Sequence, residues 1–156
     1  MTTLSDLYST RIMELGASIA PARRLDHPDG TASAHSKLCG STIVVDLTLD
    51  GDRVSDYGQT VKACLLGQAS AAIMAQHIVG SSISELREVA KVMRAMLKEN
   101  GPPPTDKWAD LAVLEPVREV RARHTSTLLA FEAVERAIDD ALAKRGTPVG
   151  ASASAG

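Results

Sequence analysis

The chain has 156 residues, and its 17 basic and 19 acidic side chains give a formal net charge of −2. This balance gives no electrostatic basis for binding nucleic acid or an anionic membrane. One Trp, one Phe and two Tyr are too few for a platform that stacks single-stranded nucleic acid. The apolar runs are too short to cross a bilayer, and the first residues do not resemble a signal peptide. Because two cysteines without a secretory signal fit a reducing compartment, the sequence predicts a cytoplasmic domain.

The first half of the chain predicts one helix and a small antiparallel sheet. Apolar residues recur at helical spacing over residues 3 to 16. After an irregular stretch that includes a candidate edge strand at residues 31 to 35, residues 42 to 49 alternate between apolar and polar side chains. Asp50-Gly51 then predicts a type I′ turn into a second strand that begins at Arg53. The polar face of this hairpin accounts for its aspartates, Asp46 among them.

The second half predicts helices that cover one face of that sheet. They are expected at residues 65 to 79, from a capping box Ser82-Ile83-Ser84-Glu85 to about residue 100, as a short helix at 106 to 114, and at 125 to 144. Residues 1 to 145 are therefore predicted to form one α+β domain with about three strands. The Ala-, Ser- and Gly-rich residues 146 to 156 are predicted to be a disordered tail.

Cys64 is the residue with the strongest chemical signal. It stands where a strand ends and an apolar helix begins, with Lys62 nearby. A helix N-terminus and a neighbouring cation both favour the thiolate, the form that binds a metal or accepts sulfur. The alternative, that Cys64 is a small buried apolar residue, stays open at this point. Cys39 lies 25 positions earlier, a spacing that by itself is weak evidence for a shared site.

Several motifs together resemble the iron–sulfur cluster scaffold family of the IscU/SufU (NifU N-terminal) type. They are Leu38-Cys39-Gly40-Ser41 before the hairpin, the segment from Lys62 to Met74, and Arg123-x-x-Ser126 at the start of the last helix. The resemblance covers about residues 4 to 143. It implies an α+β fold with a small antiparallel sheet and helices packed on one face. It also implies receipt of sulfur from a cysteine desulfurase and transfer of iron and sulfide to apo iron–sulfur proteins, which is a scaffold role and not an enzymatic one.

Carried over residue by residue, the resemblance implies that Cys39 and Cys64 are metal ligands, with Cys64 the sulfur acceptor. Ser41 stands at the family's aspartate, Ser126 at its third cysteine, and Thr125 where many members have histidine or lysine. Arg123 and His124 complete the expected pocket. Serine hydroxyls are poor ligands for zinc or an iron–sulfur cluster, so two strong donors remain.

Three accounts of this reduced ligand set stay open. The two cysteines hold a labile zinc or iron ion, or a [2Fe–2S] cluster bridged between the subunits of a homodimer; or His35, His124 or a partner's ligand completes the site; or the domain holds no cofactor and acts as an interaction module. A sulfur carrier that uses Cys64 alone is a further alternative.

Overall fold

A three-stranded antiparallel sheet forms the centre of the computed structural model, which describes residues 9–37 and 40–146. Its strands, in the order β1-β2-β3, are β1 (Gly30–His35), β2 (Thr42–Asp50) and β3 (Arg53–Lys62). The helices are α1 (Thr10–Ala17), α2 (Leu65–His77), α3 (Ile83–Lys98) and α4 (His124–Lys144), and two 3₁₀ segments, Asp106–Glu119 and Arg121–Arg123, connect α3 to α4. The predicted α+β class, the three strands and the edge strand before the hairpin are confirmed. The first part of the predicted N-terminal helix and nearly all of the predicted tail lie outside the described residues.

The helices bury one face of the sheet, as the alternation in β2 predicts. The four apolar side chains of β2 that point to this face are almost inaccessible to solvent: Ile43, Val45, Leu47 and Leu49. They belong to the core together with the inner residues of α2, α3 and α4. Each such side chain contributes about 1.5–3 kcal/mol when it is fully removed from water. The hydrophobic alternation therefore determines which face of the hairpin meets the helices, and through them the position of every helix start.

The hairpin turn differs from the predicted type I′ turn. Asp50 pairs with Arg53, so the loop consists of Gly51 and Asp52, and only Gly51 has a positive φ, of 64°. A type I′ turn needs positive φ at both loop residues, whereas type II′ needs it only at the first. The prediction was wrong because it placed Gly51 at the second loop position.

The outer face of the sheet is also partly covered, which the sequence reasoning missed. Asp46 projects to this face, yet its side chain is 0% exposed. The segment after α1 folds back over it, and Arg24 donates from Nε and a terminal nitrogen at 2.6 and 3.2 Å, while the Leu25 amide donates at 3.1 Å. Burial alone would raise the pKa of Asp46, but these hydrogen bonds, with Thr31, hold it below its ordinary value. The interpretation of Asp46 as an ordinary solvent-facing residue was therefore wrong.

The N-terminus of α3 keeps half of the predicted capping box. The Ser82 hydroxyl accepts a hydrogen bond from the Glu85 amide at 3.1 Å, as predicted. The Glu85 carboxylate instead accepts from Trp108 Nε1 at 2.8 Å and pairs with Lys107 at 2.9 Å. The partners come from the 3₁₀ segment, which runs to residue 119 and is longer than the short helix predicted there. Pro116 has no amide hydrogen to donate and interrupts any regular α-helix in that segment.

Side chains of α4 form hydrogen bonds with backbone groups on the outer edge of β1. The Thr31 amide donates to Asp140 at 2.9 Å, and Arg136 donates to the Ser33 carbonyl at 3.3 Å. Gly30 allows the close approach of α4, because a Cβ there would lie 2.9 Å from both the amide nitrogen and the Cβ of Ala141. Within the described part of the chain, no helix is both long enough and apolar enough to traverse a bilayer.

Candidate functional site

Cys64 is the N-cap residue of α2, two residues after the last residue of β3. Its extended backbone (φ −65°, ψ 170°) leaves the strand and starts the helix, as predicted. The thiol is free and half-buried, and Lys62 is exposed beside it. A half-buried thiol at a helix start is reachable by a reactant while staying fixed by the fold, which is the environment expected of a reactive cysteine.

Two buried hydroxyls contact Cys64 from distant parts of the chain. The Cys64 amide donates to Ser41 Oγ at 3.4 Å, and the Cys64 thiol lies 3.5 Å from Ser126 Oγ. Ser41 and Ser126 are 2% and 0% exposed. Three segments therefore meet at one edge of the fold: the residue before β2, the start of α2, and the first turn of α4.

The Ser126 hydroxyl connects the Cys64 thiol to the backbone that precedes α4. The Ser126 hydroxyl donates to the Arg123 carbonyl at 3.2 Å, which leaves its oxygen to accept from the Cys64 thiol. Thr127 Oγ1 donates to the same carbonyl at 2.8 Å. If Cys64 loses its proton, Ser126 can turn its single hydrogen toward the sulfur, and Arg123 still keeps one donor. A hydroxyl that donates to a thiolate stabilises the charge.

Small residues bring α4 close to α2, a feature that the sequence analysis did not single out. A Cβ on Gly67 would lie 3.2 Å from the Ser126 carbonyl oxygen, so only glycine leaves the present clearance. The buried Ser70 donates to the Thr127 carbonyl at 2.8 Å. The signal was available as the Gly67-x-x-Ser70 spacing in the first turns of an apolar helix, because small residues there permit close helix packing.

The other predicted site residues are placed as follows. Cys39 lies outside the described residues, between Ser36 and Ser41, whose backbones are joined by a hydrogen bond from the Ser36 amide to the Ser41 carbonyl at 2.8 Å. His35 is exposed at the end of β1. His124 is 8% exposed, and its Nε2 lies 3.0 Å from the Val117 carbonyl.

The first turn of α4 therefore presents two different sides. Ser126 contacts Cys64, whereas His124 and the exposed Thr125 line a polar cavity elsewhere. The backbone carbonyl of Arg123 accepts hydrogen bonds from the hydroxyls of Ser126 and Thr127.

The described donor set does not fit a resident zinc ion. No group of three His, Cys, Asp or Glu residues is gathered among residues 9–37 and 40–146. At the Cys64 edge, Ser41 and Ser126 offer hydroxyls, which remain protonated and bind zinc weakly. Among the described residues, the edge gathers one half-buried thiol, a helix N-terminus and two hydroxyls.

Comparison with known proteins gives a consistent result. A nitrogen-fixing NifU-like protein (N-terminal part) from Brucella abortus superposes with a TM-score of 0.88 and 45% sequence identity, covering 90% of this chain and 98% of that structure. The zinc-dependent sulfurtransferase SufU of Bacillus subtilis is 28% identical over 104 residues, 67% of this chain and 71% of that protein. The iron–sulfur cluster assembly scaffold protein IscU of Thermotoga maritima is 23% identical over 85% of this chain and 92% of its own length. No family profile matches the chain.

Fold and site define a small α+β domain with a thiol at the start of a helix beside a three-stranded sheet. The chain belongs to the IscU/SufU-like (NifU N-terminal) family of iron–sulfur cluster assembly scaffold proteins. The resemblance stated from the sequence is confirmed.

Proposed function

We propose that this chain is a scaffold-like protein of iron–sulfur cluster assembly in the cytoplasm. It holds iron and sulfide, or a [2Fe–2S] cluster, transiently on Cys39 and Cys64 and passes them to apo-proteins. Its supplier of sulfur is a cysteine desulfurase. The proposal makes it a carrier of cargo and not an enzyme, and it depends on the family assignment together with the position of Cys64.

The observation that carries the proposal is the surrounding of the Cys64 thiol. The thiol is half-buried at the N-terminus of α2, and the Ser126 hydroxyl lies 3.5 Å from its sulfur. The Ser41 hydroxyl receives the Cys64 amide. The expectation that Cys39 serves the same edge rests on the sequence, in which Cys39 stands two positions before Ser41, the residue that contacts Cys64.

The serines explain why the cargo would be held loosely. Two thiolates per chain satisfy half of the four positions of a [2Fe–2S] cluster, so two chains would complete it with four thiolates. Ser126, whose Oγ lies 3.5 Å from the Cys64 sulfur, would donate a hydrogen bond to sulfur rather than bind iron. Such bonds stabilise a charged thiolate without adding a strong ligand, which favours release of the cargo over permanent binding.

A second candidate function is sulfur carriage on Cys64 alone. It is favoured by the hydroxyl beside the half-buried Cys64 thiol and by the similarity to the Bacillus protein, a sulfurtransferase. The Cys64 thiolate attacks the outer sulfur of a persulfide on the donor protein. A new S–S bond forms on Cys64, the donor's S–S bond breaks, and the donor leaves as a thiolate. No outside oxidant or reductant is needed because the sulfur moves without a net change in electrons.

One experiment separates these functions. The purified chain is incubated without oxygen with ferrous iron, cysteine and a cysteine desulfurase, and then examined by visible absorption, by iron and sulfide analysis per chain, and by intact-protein mass. A scaffold shows a charge-transfer chromophore that is lost in both Cys39→Ala and Cys64→Ala. A sulfur carrier gains the mass of one sulfur atom without iron, and loses this gain only in Cys64→Ala.

Ser126→Ala with Ser70→Ala as its control tests the role of the hydroxyl. Both serines are buried and both donate to a backbone carbonyl, Ser126 to that of Arg123 and Ser70 to that of Thr127, but only Ser126 is in contact with Cys64. Ser126→Ala should slow alkylation of Cys64 by iodoacetamide by about tenfold, because one hydrogen bond to a charged group contributes about 1.5 kcal/mol. Ser70→Ala should leave the rate unchanged.

If neither chromophore nor added sulfur is found while the desulfurase still binds, the chain is an interaction module and the proposal fails.

A further inference from the structure

A second site lies beside α4, on the side of its first turn that faces away from Cys64. A polar cavity of about 530 Å³ is lined by the C-terminal end of α3, the end of the 3₁₀ segment and the start of α4. Lys98, Arg118 and Arg121 contribute three positive charges to it. Glu119 is the acidic residue among the described residues that line it. The cavity therefore carries an excess of positive charge in a chain whose net charge is negative.

Of the three cations, Arg118 is paired within the fold, whereas Lys98 and Arg121 are not paired with a carboxylate among the described residues. The terminal nitrogen of Arg118 donates to the Gly101 carbonyl at 2.9 Å and to Glu115 at 3.1 Å. Its Nε is buried and has no hydrogen-bond partner among the described residues. Lys98 and Arg121 are exposed, and the described residues offer neither of them a carboxylate within 4.0 Å.

The N-terminus of α4 adds to the positive electrostatic potential of the cavity. No side chain caps the helix N-terminus, and His124 and Thr125, its first two residues, both line the cavity. The positive end of the dipole of a 21-residue helix therefore faces the same space as the three cations. His124 Nε2 lies 3.0 Å from the Val117 carbonyl oxygen and 3.2 Å from that of Arg118, so it carries the ring hydrogen.

We propose that this cavity binds a phosphate group, either inorganic phosphate or the phosphate of a small monoester. Phosphate is favoured over a single carboxylate because it carries about two charges and three or four acceptor oxygens, which can engage an Arg, a Lys and a helix N-terminus at once. The cavity volume is sufficient for a small organic phosphate as well as for the bare ion. The site needs neither cysteine, so it extends the function proposed above without depending on it.

The test is a titration followed by amide NMR shifts, with inorganic phosphate, phosphoserine or acetate added at constant ionic strength set with potassium chloride. Phosphate should shift the amides of Asn100, Arg118 and Thr125 in a saturable way. Acetate should give a clearly weaker response. Phosphoserine binding more tightly than phosphate identifies a monoester as the ligand, and equal binding identifies the free ion; either result supports the proposal.

Variants decide whether the cavity is responsible. Lys98→Gln and Arg121→Gln should each weaken phosphate binding by about tenfold, the usual scale for losing one charge-assisted contact. Lys91→Gln removes an exposed lysine of α3 that does not line the cavity and should change nothing. Cys64→Ala should bind phosphate like the unchanged chain, even if it no longer carries sulfur or iron. The proposal is overturned if phosphate gives no saturable shift, if potassium chloride reproduces it, or if Lys91→Gln weakens binding as much as the two cavity variants.

Discussion

Replacing Ser126 by cysteine should turn the edge around Cys64 into a zinc site. Ser126 Oγ lies 3.5 Å from the Cys64 sulfur. Two thiolates on a tetrahedral zinc ion, with Zn–S bonds of about 2.3 Å, are about 3.8 Å apart. The present spacing therefore differs from the required one by a few tenths of an ångström. A cysteine at this fully buried position is also compatible with the packing, since cysteine behaves as a small apolar residue.

The size of the effect follows from the number of donors. A four-donor structural zinc site is worth roughly 10–16 kcal/mol, or about 2.5–4 kcal/mol per donor if the donors contribute equally. Ser126→Cys should therefore bind zinc at least about a hundredfold more tightly than the unchanged chain. The lost hydrogen bond to the Arg123 carbonyl is a small cost, because Thr127 still donates to that oxygen at 2.8 Å. Ser41→Asp added to Ser126→Cys should tighten binding further.

The assay is competition for zinc with a chromophoric chelator, under reducing and oxygen-free conditions to prevent a disulfide between Cys64 and the new cysteine. Ser70→Cys is the matched control, because it adds a buried thiol in α2 whose native hydroxyl contacts Thr127 and not Cys64. The reasoning is refuted if Ser126→Cys binds zinc no better than Ser70→Cys. It is also refuted if the gain survives when Cys64 is changed to alanine as well.

Three further predictions concern the fold around the site. Asp46→Asn should lower the free energy of unfolding by about 2 kcal/mol in urea denaturation at neutral pH, less than for a sealed ion pair because Arg24 is 60% exposed and can return to water. Since the folded-state pKa of Asp46 is lowered, its contribution is present above about pH 4 and is lost as pH falls further, so the two proteins should converge in acid; a constant difference down to pH 2 would contradict this. Burial alone would raise the pKa of Glu85, but hydrogen bonds from Lys107 and Trp108 outweigh this effect and lower the pKa. The fluorescence of the single Trp should therefore change below about pH 4, and this transition should be absent in Glu85→Gln. Gly30→Ala should destabilise the chain by about 2 kcal/mol or more, because its Cβ would collide with the Ala137 carbonyl oxygen of α4 and lie 2.9 Å from Ala141. An unchanged urea midpoint would show that α4 can move away.

The elements that were predictable from the sequence are those with a strong period or a local signal. The alternation of Ile43, Val45, Leu47 and Leu49 defined the buried face of β2, and Ser82 marked the start of α3. The position of Cys64 at a helix start was equally readable, because strand and apolar helix meet there within three residues. These features depend on neighbours in the chain, which a single sequence shows directly.

The missed features depend on partners far away in the chain. Asp46 looked like an exposed residue because nothing local shows that Arg24, 22 positions earlier, folds over it. In the same way, nothing local shows that Trp108, 23 positions later, donates to the Glu85 carboxylate, which the capping box would have used to bind the backbone of Ser82. At the candidate site, the resemblance selected Ser41 and Ser126, but no local pattern predicts a contact between Cys64 and a serine 62 positions later. The phosphate cavity draws on α3, the 3₁₀ segment and α4, and its cations are scattered along 24 positions of sequence, from Lys98 to Arg121.

The contacts of Asp140 and Arg136 along β1 have a consequence for how two copies of the chain can associate. A strand added beside β1 would need the Thr31 amide and the Ser33 carbonyl, and both are already engaged by α4. Growth of the sheet from one molecule into the next is therefore blocked at this margin unless the helix withdraws. A pair of copies that shares a cluster would therefore associate through the surface around Cys64 at the start of α2, with the two Cys64 residues facing each other.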